Sequence, residues 1–339
     1  MKKTNTYLVK ALLISISLAL APIANVFAVQ LSGTYTINPS LAASTSNFKD
    51  FASAITYMTS TSSRTDGGPA NSGTVGVSGP VVFEVAAATY SISSAIIVPA
   101  ITGSSATNTV TFDGGTGNAS TRIITASIAS QAIIRMNLST YVRFYNLTIR
   151  NTYSGTCSGI GIIGNNSGMG GSGCQVKYCD VSMPNTGTST GYGINVTATS
   201  TGHGLSMVRA GEIEIDSNTV TGGTHGITVY GNTAKNATYN ANIKIRGNTV
   251  NNAYTYGVYL YYICNGIDLM YNNINMSTAN TGTQYGVYFY YSQNTAGTSS
   301  HQLVGNTIRN SSYYGFYIYY CASSTSYPTK IYNNIIAGG

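Results

Sequence analysis

The densest group of ionisable side chains in this 339-residue sequence is one short segment, where Glu212, Glu214 and Asp216 alternate with isoleucines. In an extended strand alternate side chains point to the same face, so the segment predicts three carboxylates on one outer face. Carboxylate pairs act as acid and base in glycoside cleavage, and clustered carboxylates bind calcium. The candidate catalytic residues are therefore Glu214, Asp216 and the nearby Lys244. The candidate calcium ligands are Glu212, Glu214 and Asp216, and no other cofactor is expected.

The same carboxylates also fit a purely structural role. When segments are aligned on their apolar-x-apolar pattern, Glu214 falls beside Lys244, and Lys244 beside Asp268. Opposite charges then alternate along a column that reads Arg143, Gln175, Glu214, Lys244, Asp268, Gln302, Lys330. Exposed ion pairs of this kind contribute about 0–1 kcal/mol each. Surface pairing therefore explains the acidic segment without catalysis.

Tyrosines form the most regular pattern, since the sequence has 28 tyrosines and no tryptophan. The segment Tyr-Gly-Val-Tyr-Leu-Tyr-Tyr at 256–262 returns in closely similar form after 29 residues, at 285, and again at 314. If the intervening apolar residues point inward, the tyrosines between them point outward. Two columns are predicted: Tyr259, Tyr288 and Tyr317, and Tyr261, Tyr290 and Tyr319. Together they would form a flat, exposed aromatic strip.

Three roles are open for this strip. Stacked tyrosines stabilise neighbouring strands by ~0.2–1 kcal/mol per pair. Exposed ring faces and hydroxyls suit a sugar, and a large aromatic patch also suits self-association or adhesion. The strip is larger than any acid–base cluster in the sequence, so binding is favoured over catalysis.

The elements that carry these residues are predicted from a second repeat, apolar-x-apolar-x-x-Asn-x-apolar. Its asparagines are Asn218, Asn248, Asn272, Asn306 and Asn334, and Cys179 occupies the same slot in an earlier copy. Short alternating strands that recur in register indicate a stacked solenoid with an internal asparagine ladder. An ordinary β-sandwich does not predict like residues in register over five or more copies.

The N-terminal part has a different organisation. Residues 1–28 read as a signal peptide, with three lysines, an apolar run and cleavage after Ala28. Residues 29–135 are expected to hold a capping helix at 47–58, with its N-cap at Ser46 or Asn47, and the first coils. Residues 136–339 are expected to hold the regular coils. The sequence ends inside a coil, so continuation of the chain, a second copy or a partner is expected to cover that end.

The net charge limits the classes of partner, and the cysteine count limits disulfide pairing. Only 7% of residues are charged, and three of the 16 basic residues lie in the signal segment, so 13 basic and 9 acidic residues leave +4. The basic residues are scattered, so no nucleic-acid partner is expected. No second apolar stretch is long enough to cross a bilayer, so no membrane span is expected after signal cleavage. Five cysteines leave at least one unpaired. Cys157 and Cys174 are one possible pair, but small buried residues are the favoured interpretation.

The order of segments resembles a known fold family. The runs "GPVVFEVAAATY", "IIVPAITG", "TNTVTFDGG" and "STYVRFYNLTIRN", followed by the asparagine copies, resemble secreted bacterial right-handed parallel β-helix proteins of the pectin-lyase-like superfamily. The resemblance covers nearly the whole chain after residue 28 and implies an all-β solenoid of about seven coils with a capping helix. That superfamily contains lyases, hydrolases, esterases, adhesins and surface proteins without known activity, so the resemblance alone leaves function open.

The sequence therefore favours an exported, non-catalytic protein of the extracellular space or cell surface. Its expected partner is a polysaccharide or cell-surface glycan, or another copy of itself, met by the tyrosine strip. The alternative is a polysaccharide lyase or glycoside hydrolase that acts along a groove of the β-helix, and the resemblance implies carboxylates with a cation or a basic residue there.

Overall fold

The computed structural model describes residues 30–338 except 168–169, 185–186, 188, 234–240, 264, 293–298 and 322–324. The predicted signal peptide lies outside the described residues. Strands alternate between three sheets, and every strand pairing within them is parallel. Parallel neighbours in one sheet need a crossover between them, and here the strands of the other two sheets supply it.

The first sheet has eleven strands. They are β1 (Leu31–Ile37), β2 (Asn47–Phe48), β3 (Val77–Val85), β6 (Val110–Asp113), β9 (Val142–Tyr145), β12 (Gln175–Lys177), β15 (Glu214–Asp216), β18 (Ile243–Arg246), β21 (Ile267–Met270), β24 (Gln302–Val304) and β27 (Lys330–Tyr332).

The second sheet has nine strands. They are β4 (Ala88–Ser91), β7 (Arg122–Ala126), β10 (Thr148–Asn151), β13 (Asp180–Ser182), β16 (Thr219–Thr221), β19 (Thr249–Ala253), β22 (Asn273–Met276), β25 (Thr307–Arg309) and β28 (Ile335–Ala337).

The third sheet has eight strands. They are β5 (Ile96–Val98), β8 (Ala132–Asn137), β11 (Cys157–Ile163), β14 (Gly191–Thr197), β17 (His225–Tyr230), β20 (Tyr256–Tyr261), β23 (Tyr285–Tyr290) and β26 (Tyr314–Tyr319).

Each coil takes one strand from each sheet in turn, so the chain winds as a parallel β-helix. Among the described residues, β3 to β26 form eight complete coils and β27 and β28 begin another, one more complete coil than the seven or so expected. Inward side chains form one continuous apolar core. In it the rings of Phe83, Phe112 and Phe144 stack with centroids 5.0 and 4.8 Å apart.

The asparagine ladder is confirmed at the turn between the first and second sheets. The side-chain amide of Asn248 donates to Oδ1 of Asn272 at 3.0 Å, and Asn272 donates to Asn306 at 2.9 Å. Each amide also donates to a main-chain carbonyl of the preceding coil, as Asn248 does to Ile215 at 2.8 Å. Cys179 fills the predicted slot, where its main-chain N–H donates to Oδ1 of Asn218 at 3.0 Å. The ladder thus satisfies polar groups that the tight turns bury.

The capping helix, α1, spans Phe51–Thr59 rather than 47–58. Its N-cap is Asp50, whose carboxylate accepts a hydrogen bond from the main-chain N–H of Ser53 at 2.7 Å. Both the predicted start and the predicted caps are wrong, because Asn47–Phe48 pairs with β1 as strand β2. Phe51 and Met58 are buried, so the helix closes the apolar end of the coil stack.

The described cysteines are all free thiols, so Cys157 and Cys174 do not pair. Burial raises the pKa of the Cys174 and Cys179 thiols to about 12. The interpretation of these residues as small buried side chains is confirmed for Cys157, Cys174 and Cys179, whereas Cys264 lies outside the described residues. The described part of the chain contains no helix with the length and apolar character needed to cross a membrane.

Candidate functional sites

The predicted tyrosine columns form on the outer face of the third sheet. Val258 and Leu260 are fully buried, so Tyr259 and Tyr261, which alternate with them, project outward from β20. The strand register places Tyr259 beside Tyr288 and Tyr261 beside Tyr290, and continues to Tyr317 and Tyr319. The column alignment read from the sequence is therefore confirmed residue by residue.

Close packing between sheets requires the glycine of the Tyr-Gly pair that begins each tyrosine repeat. A Cβ on Gly257 would lie 2.4 Å from Ile274 Cγ2 and 2.5 Å from the carbonyl oxygen of Gly286. The second sheet thus packs against the third sheet so closely that no side chain fits between them at this position. This contact fixes the register from which the following tyrosines project.

The rings within each column stack on one another. Ring centroids of Tyr259 and Tyr288 are 5.1 Å apart with planes 3° apart, and Tyr288 and Tyr317 repeat that spacing at 5.1 Å. The second column begins one coil earlier than predicted, since Tyr230 stacks on Tyr261 at 4.9 Å. Parallel rings at this spacing are in the offset-stacked arrangement that aromatic pairs prefer.

Two further columns flank these rings. On one side Tyr192, His225, Tyr256, Tyr285 and Tyr314 follow one another. Tyr256 stands nearly perpendicular to Tyr259, at 77° and 5.0 Å. On the other side lie Tyr262, Tyr291 and Tyr320, each in a left-handed turn with φ of 54°, 50° and 56°.

We use the name tyrosine array for the tyrosines of the four columns from β17 to the turn after β26. They are Tyr230, Tyr256, Tyr259, Tyr261, Tyr262, Tyr285, Tyr288, Tyr290, Tyr291, Tyr314, Tyr317, Tyr319 and Tyr320.

The expectation of a flat strip of exposed ring faces is wrong. Tyr259 is only 8% exposed, whereas Tyr319 in β26 is 46% exposed. Because each inner ring has a ring of the next coil against its face, and perpendicular rings close the sides, the array presents ring edges and hydroxyls to solvent. The sequence gives the column register but not the ring orientation, which depends on packing between columns.

The array is electrically neutral. Its strands, β17, β20, β23 and β26, contain no lysine, arginine, aspartate or glutamate. Burial, together with repulsion from neighbouring phenols, raises the pKa of Tyr259 and Tyr288 well above the ordinary value. Burial lowers the pKa of His225 to about 3, so its imidazole is also uncharged near neutral pH. The array therefore offers hydroxyl donors and acceptors without formal charge.

Glu214 lies on the outer face of the first sheet between two ammonium groups. Its Oε1 accepts from Lys244 Nζ at 2.7 Å, and its Oε2 pairs with Lys177. The register of Glu214 beside Lys244, and of Lys244 beside Asp268, is as aligned from the sequence. Burial alone would raise the pKa of Glu214, but the hydrogen bonds from both lysines lower it below the ordinary value.

Of the other two acids of the segment, Glu212 shares a groove with Glu214, whereas Asp216 does not. Glu212 has a left-handed φ of 55° and precedes β15, so the expected alternation over all three carboxylates is broken. Glu212, Glu214 and Lys244 line one groove of about 460 Å³ together with Arg143, whereas Asp216 does not line it. Asp216 instead accepts a hydrogen bond from Ser217 at 2.8 Å. Within the described ranges, no group of three or more His, Cys, Asp or Glu side chains is placed to hold a metal ion.

The structure contains two other concave sites that were not expected from the sequence. Glu84 and Asp113 are direct partners on β3 and β6, and they share a groove of about 350 Å³ with Arg122. Alignment of the two strands on Phe83 and Phe112 would have revealed this carboxylate pair. A larger groove, of about 670 Å³, lies between α1 and the edge strand β5. No local pattern predicts it, because it depends on how the helix packs.

Comparison with known proteins supports the architecture. No family model and no curated protein matches the chain. The solved structure of rice weevil pectin methyl esterase matches with a TM-score of 0.50 and 11% sequence identity, over 92% of this chain and 93% of that protein. At this identity the likeness concerns the fold alone. The chain therefore has a right-handed parallel β-helix fold.

Proposed function

We propose that this protein is a non-catalytic binding protein of the extracellular space or cell surface, and that the tyrosine array is its binding face. The observation that carries the proposal is the array itself. Four aromatic columns run along the outer face of the third sheet, and Tyr261, Tyr288 and Tyr290 on its inner coils are partly exposed to solvent. A contiguous aromatic surface of this kind is typical of sites that meet a partner.

The state of Glu214 supports the non-catalytic part of the proposal. A general acid needs a raised pKa and a free proton, and a nucleophile or base needs an unoccupied oxygen. Glu214 has a lowered pKa, and both of its oxygens pair with lysines. Lys244 is itself engaged by Glu214, so the pair behaves as a neutralised surface contact.

Export is part of the proposal because of the sequence before residue 29. Lysines, an apolar run and a small-residue cleavage site are typical of a secretory signal. The β-helix itself is compatible with this location, but the proposal of export depends on the signal sequence.

A polysaccharide lyase or glycoside hydrolase is the second candidate. The observation in its favour is the groove of about 460 Å³, where Arg143, Glu212, Glu214 and Lys244 come together. Concave sites with converging ionisable groups are the usual setting for catalysis. Calcium remains a possible cofactor of this candidate alone.

Sugar release distinguishes the two candidates. Purified protein is incubated with a panel of neutral and acidic polysaccharides, with and without calcium, and new reducing or unsaturated ends are measured. We expect no release from any polymer. Release that is lost in Glu214→Gln, and retained in Asp180→Asn on the second sheet, would overturn the proposal and locate catalysis in the groove.

The binding face is tested separately. Retention on immobilised polysaccharides and self-association in sedimentation are compared for wild type, Tyr290→Ala in the array and Tyr271→Ala. Tyr271 is exposed but lies in the turn between the first and second sheets. We expect Tyr290→Ala alone to weaken binding. Equal behaviour of all three proteins in every assay would show that the array is not a binding face.

A further inference from the structure

We propose that the tyrosine array binds an uncharged polysaccharide chain that lies along the β-helix axis. This inference rests on the proposed function, and names the chemical class of partner that the array selects. It depends on four properties of the array: its size, its periodicity, the orientation of its rings and its lack of charge.

The size of the array favours a narrow ligand over a second protein. Six-residue strands at ~3.3 Å per residue and four coils at ~4.8 Å per step cover roughly 20 Å by 20 Å, or about 400 Å². A stable protein–protein interface buries about 800 Å² on each partner. The array alone is therefore about half the size that a stable dimer needs, but it is wide enough for a single polymer chain.

The periodicity gives the direction of that chain. From Tyr230 through Tyr261 and Tyr290 to Tyr319, centroid spacings are 4.9, 5.3 and 5.0 Å. Chemically equivalent phenols thus recur at nearly constant spacing along the axis. A polymer of repeating units laid in this direction meets the same group on every coil, whereas a compact small molecule uses only one or two.

The ring orientation decides which ligand atoms fit. Ring faces carry negative partial charge and ring edges carry positive partial charge. Since inner faces are covered by neighbouring rings, the exposed edges and hydroxyls attract oxygen atoms. The rings of Tyr261 and Tyr262, and of Tyr290 and Tyr291, also stand nearly perpendicular to each other with centroids 4.2 and 4.5 Å apart, and these contacts hold the ring edges toward solvent. An oxygen-rich chain such as a polysaccharide offers both donors and acceptors to this row.

The described strands of the array carry no charged side chain, which disfavours acidic chains on them. A carboxylate that leaves water for the array loses hydration and gains no cation in return. The cations on the outer face of the first sheet include Arg143, Lys177 and Lys244, which are on strands of a different sheet. Neutral glycan is therefore the class that the array accepts at the lowest desolvation cost.

The test uses whole protein and soluble polysaccharides in affinity electrophoresis. The neutral probes are mixed-linkage glucan, xyloglucan and galactomannan, and the acidic probes are polygalacturonate and alginate. The variants are the double substitution Tyr288→Phe with Tyr290→Phe, which keeps the stacked rings but removes two hydroxyls, and the control Tyr178→Phe in an exposed turn.

We expect retardation by at least one neutral probe, a loss of affinity of about fivefold to fiftyfold in the double variant, and no change in the control. Affinity should rise with oligosaccharide length up to about four units, because the column has four rings.

Three results would overturn the inference. Retardation by acidic probes only, with the same dependence on the two hydroxyls, would reject an uncharged ligand and leave the proposed binding face intact. Self-association that the double variant abolishes, without binding of any probe, would assign the array to a second copy. If the protein neither binds any probe nor self-associates, the array is not a binding face. Sugar release in the separate assay would reject the non-catalytic function.

Discussion

Tyr259 and Tyr288 are 29 residues apart in sequence, yet their rings lie parallel within 3° with centroids 5.1 Å apart. The contact arises because both occupy the same position on adjacent strands of the third sheet. Stacked aromatic pairs contribute ~0.5–1.5 kcal/mol beyond the area they bury. The stacked pair Tyr259–Tyr288 therefore stabilises the contact between two adjacent coils, and the array repeats this contact along the stack.

This coupling is measurable by a double-mutant cycle. We expect Tyr259→Leu and Tyr288→Leu each to lower the free energy of unfolding, and the double variant to lose less than the sum by about 1 kcal/mol. The measurement is urea unfolding followed by circular dichroism. The control cycle pairs Tyr259→Leu with Tyr178→Leu, in the turn between the first and second sheets, where we expect additivity. Additivity in both cycles would show that stacking between Tyr259 and Tyr288 does not couple the two coils.

The second prediction concerns the asparagine ladder. Oδ1 of Asn248 accepts from the main-chain N–H and the side-chain amide of Asn218, at 3.0 and 2.9 Å, inside the protein. Asn248→Ala leaves these buried donors without an acceptor, at about 1–3 kcal/mol for each group. We expect the free energy of unfolding to fall by about 3 kcal/mol or more.

The ladder prediction has two controls. Asn273→Ala removes an exposed asparagine at the start of β22 and should change stability by less than about 0.5 kcal/mol. Asn248→Cys places in the slot the residue type that the chain itself uses at Cys179, so it should cost less than Asn248→Ala. Equal, small effects for all three substitutions would contradict the structural role of the ladder.

The repeats explain why so much of this architecture could be predicted from sequence. Residues that recur at the same repeat position on every coil become neighbours, so Glu214 beside Lys244 and Tyr259 beside Tyr288 follow from alignment alone. Contacts of segments that do not belong to a repeat could not be predicted by alignment. The local pattern around Asn47 predicts a helix, because its strand pairing with β1 is not a local feature of the sequence.

In the candidate sites, too, the features that follow from the repeats can be predicted, whereas those that depend on packing or backbone conformation cannot. Lys177 reaches Glu214 diagonally from a neighbouring column, so alignment by column does not reveal it. The left-handed backbone at Glu212 has no signal in residue type, since glutamate rarely adopts that conformation. The edge-on rings result from perpendicular contacts such as Tyr256 with Tyr259, which depend on side-chain packing and not on spacing.

The third prediction is a pH dependence of the Glu214 contacts. The lysines hold the pKa of Glu214 below its ordinary value of 4.5, so its contribution is complete above pH 4.5 and is lost as the pH falls through the lowered value. We expect Glu214→Gln to lower stability by about 1 kcal/mol at pH 7, and the difference from wild type to disappear at strongly acidic pH. Denaturant unfolding at a series of pH values measures this difference. An unchanged difference at the lowest accessible pH would contradict the ion-pair interpretation.

The fourth prediction concerns His225, whose ring lies between those of Tyr192 and Tyr256, tilted by 33° and 31° with centroids 4.7 Å from each. Burial lowers its pKa from 6.5 to about 3. Between these values the unfolded chain binds a proton that the folded chain excludes, so stability falls as the pH falls, by about 1.4 kcal/mol per pH unit for one histidine. His225→Tyr continues the column with the residue type found above and below it, and removes this proton. We therefore expect the variant to lose less stability than wild type between pH 6 and pH 4.

The measurement is again denaturant unfolding across that range, with the variant compared against wild type at each pH. His301, whose pKa burial lowers to about 4, adds the same kind of slope to both proteins and therefore cancels in the comparison. A His301→Phe variant should reduce the slope independently, because this ring contacts Phe289 at 5.1 Å in the core and not the array. If His225→Tyr follows the wild-type profile throughout, the imidazole is accessible to protons in the folded protein, and the stacked column must open at that coil.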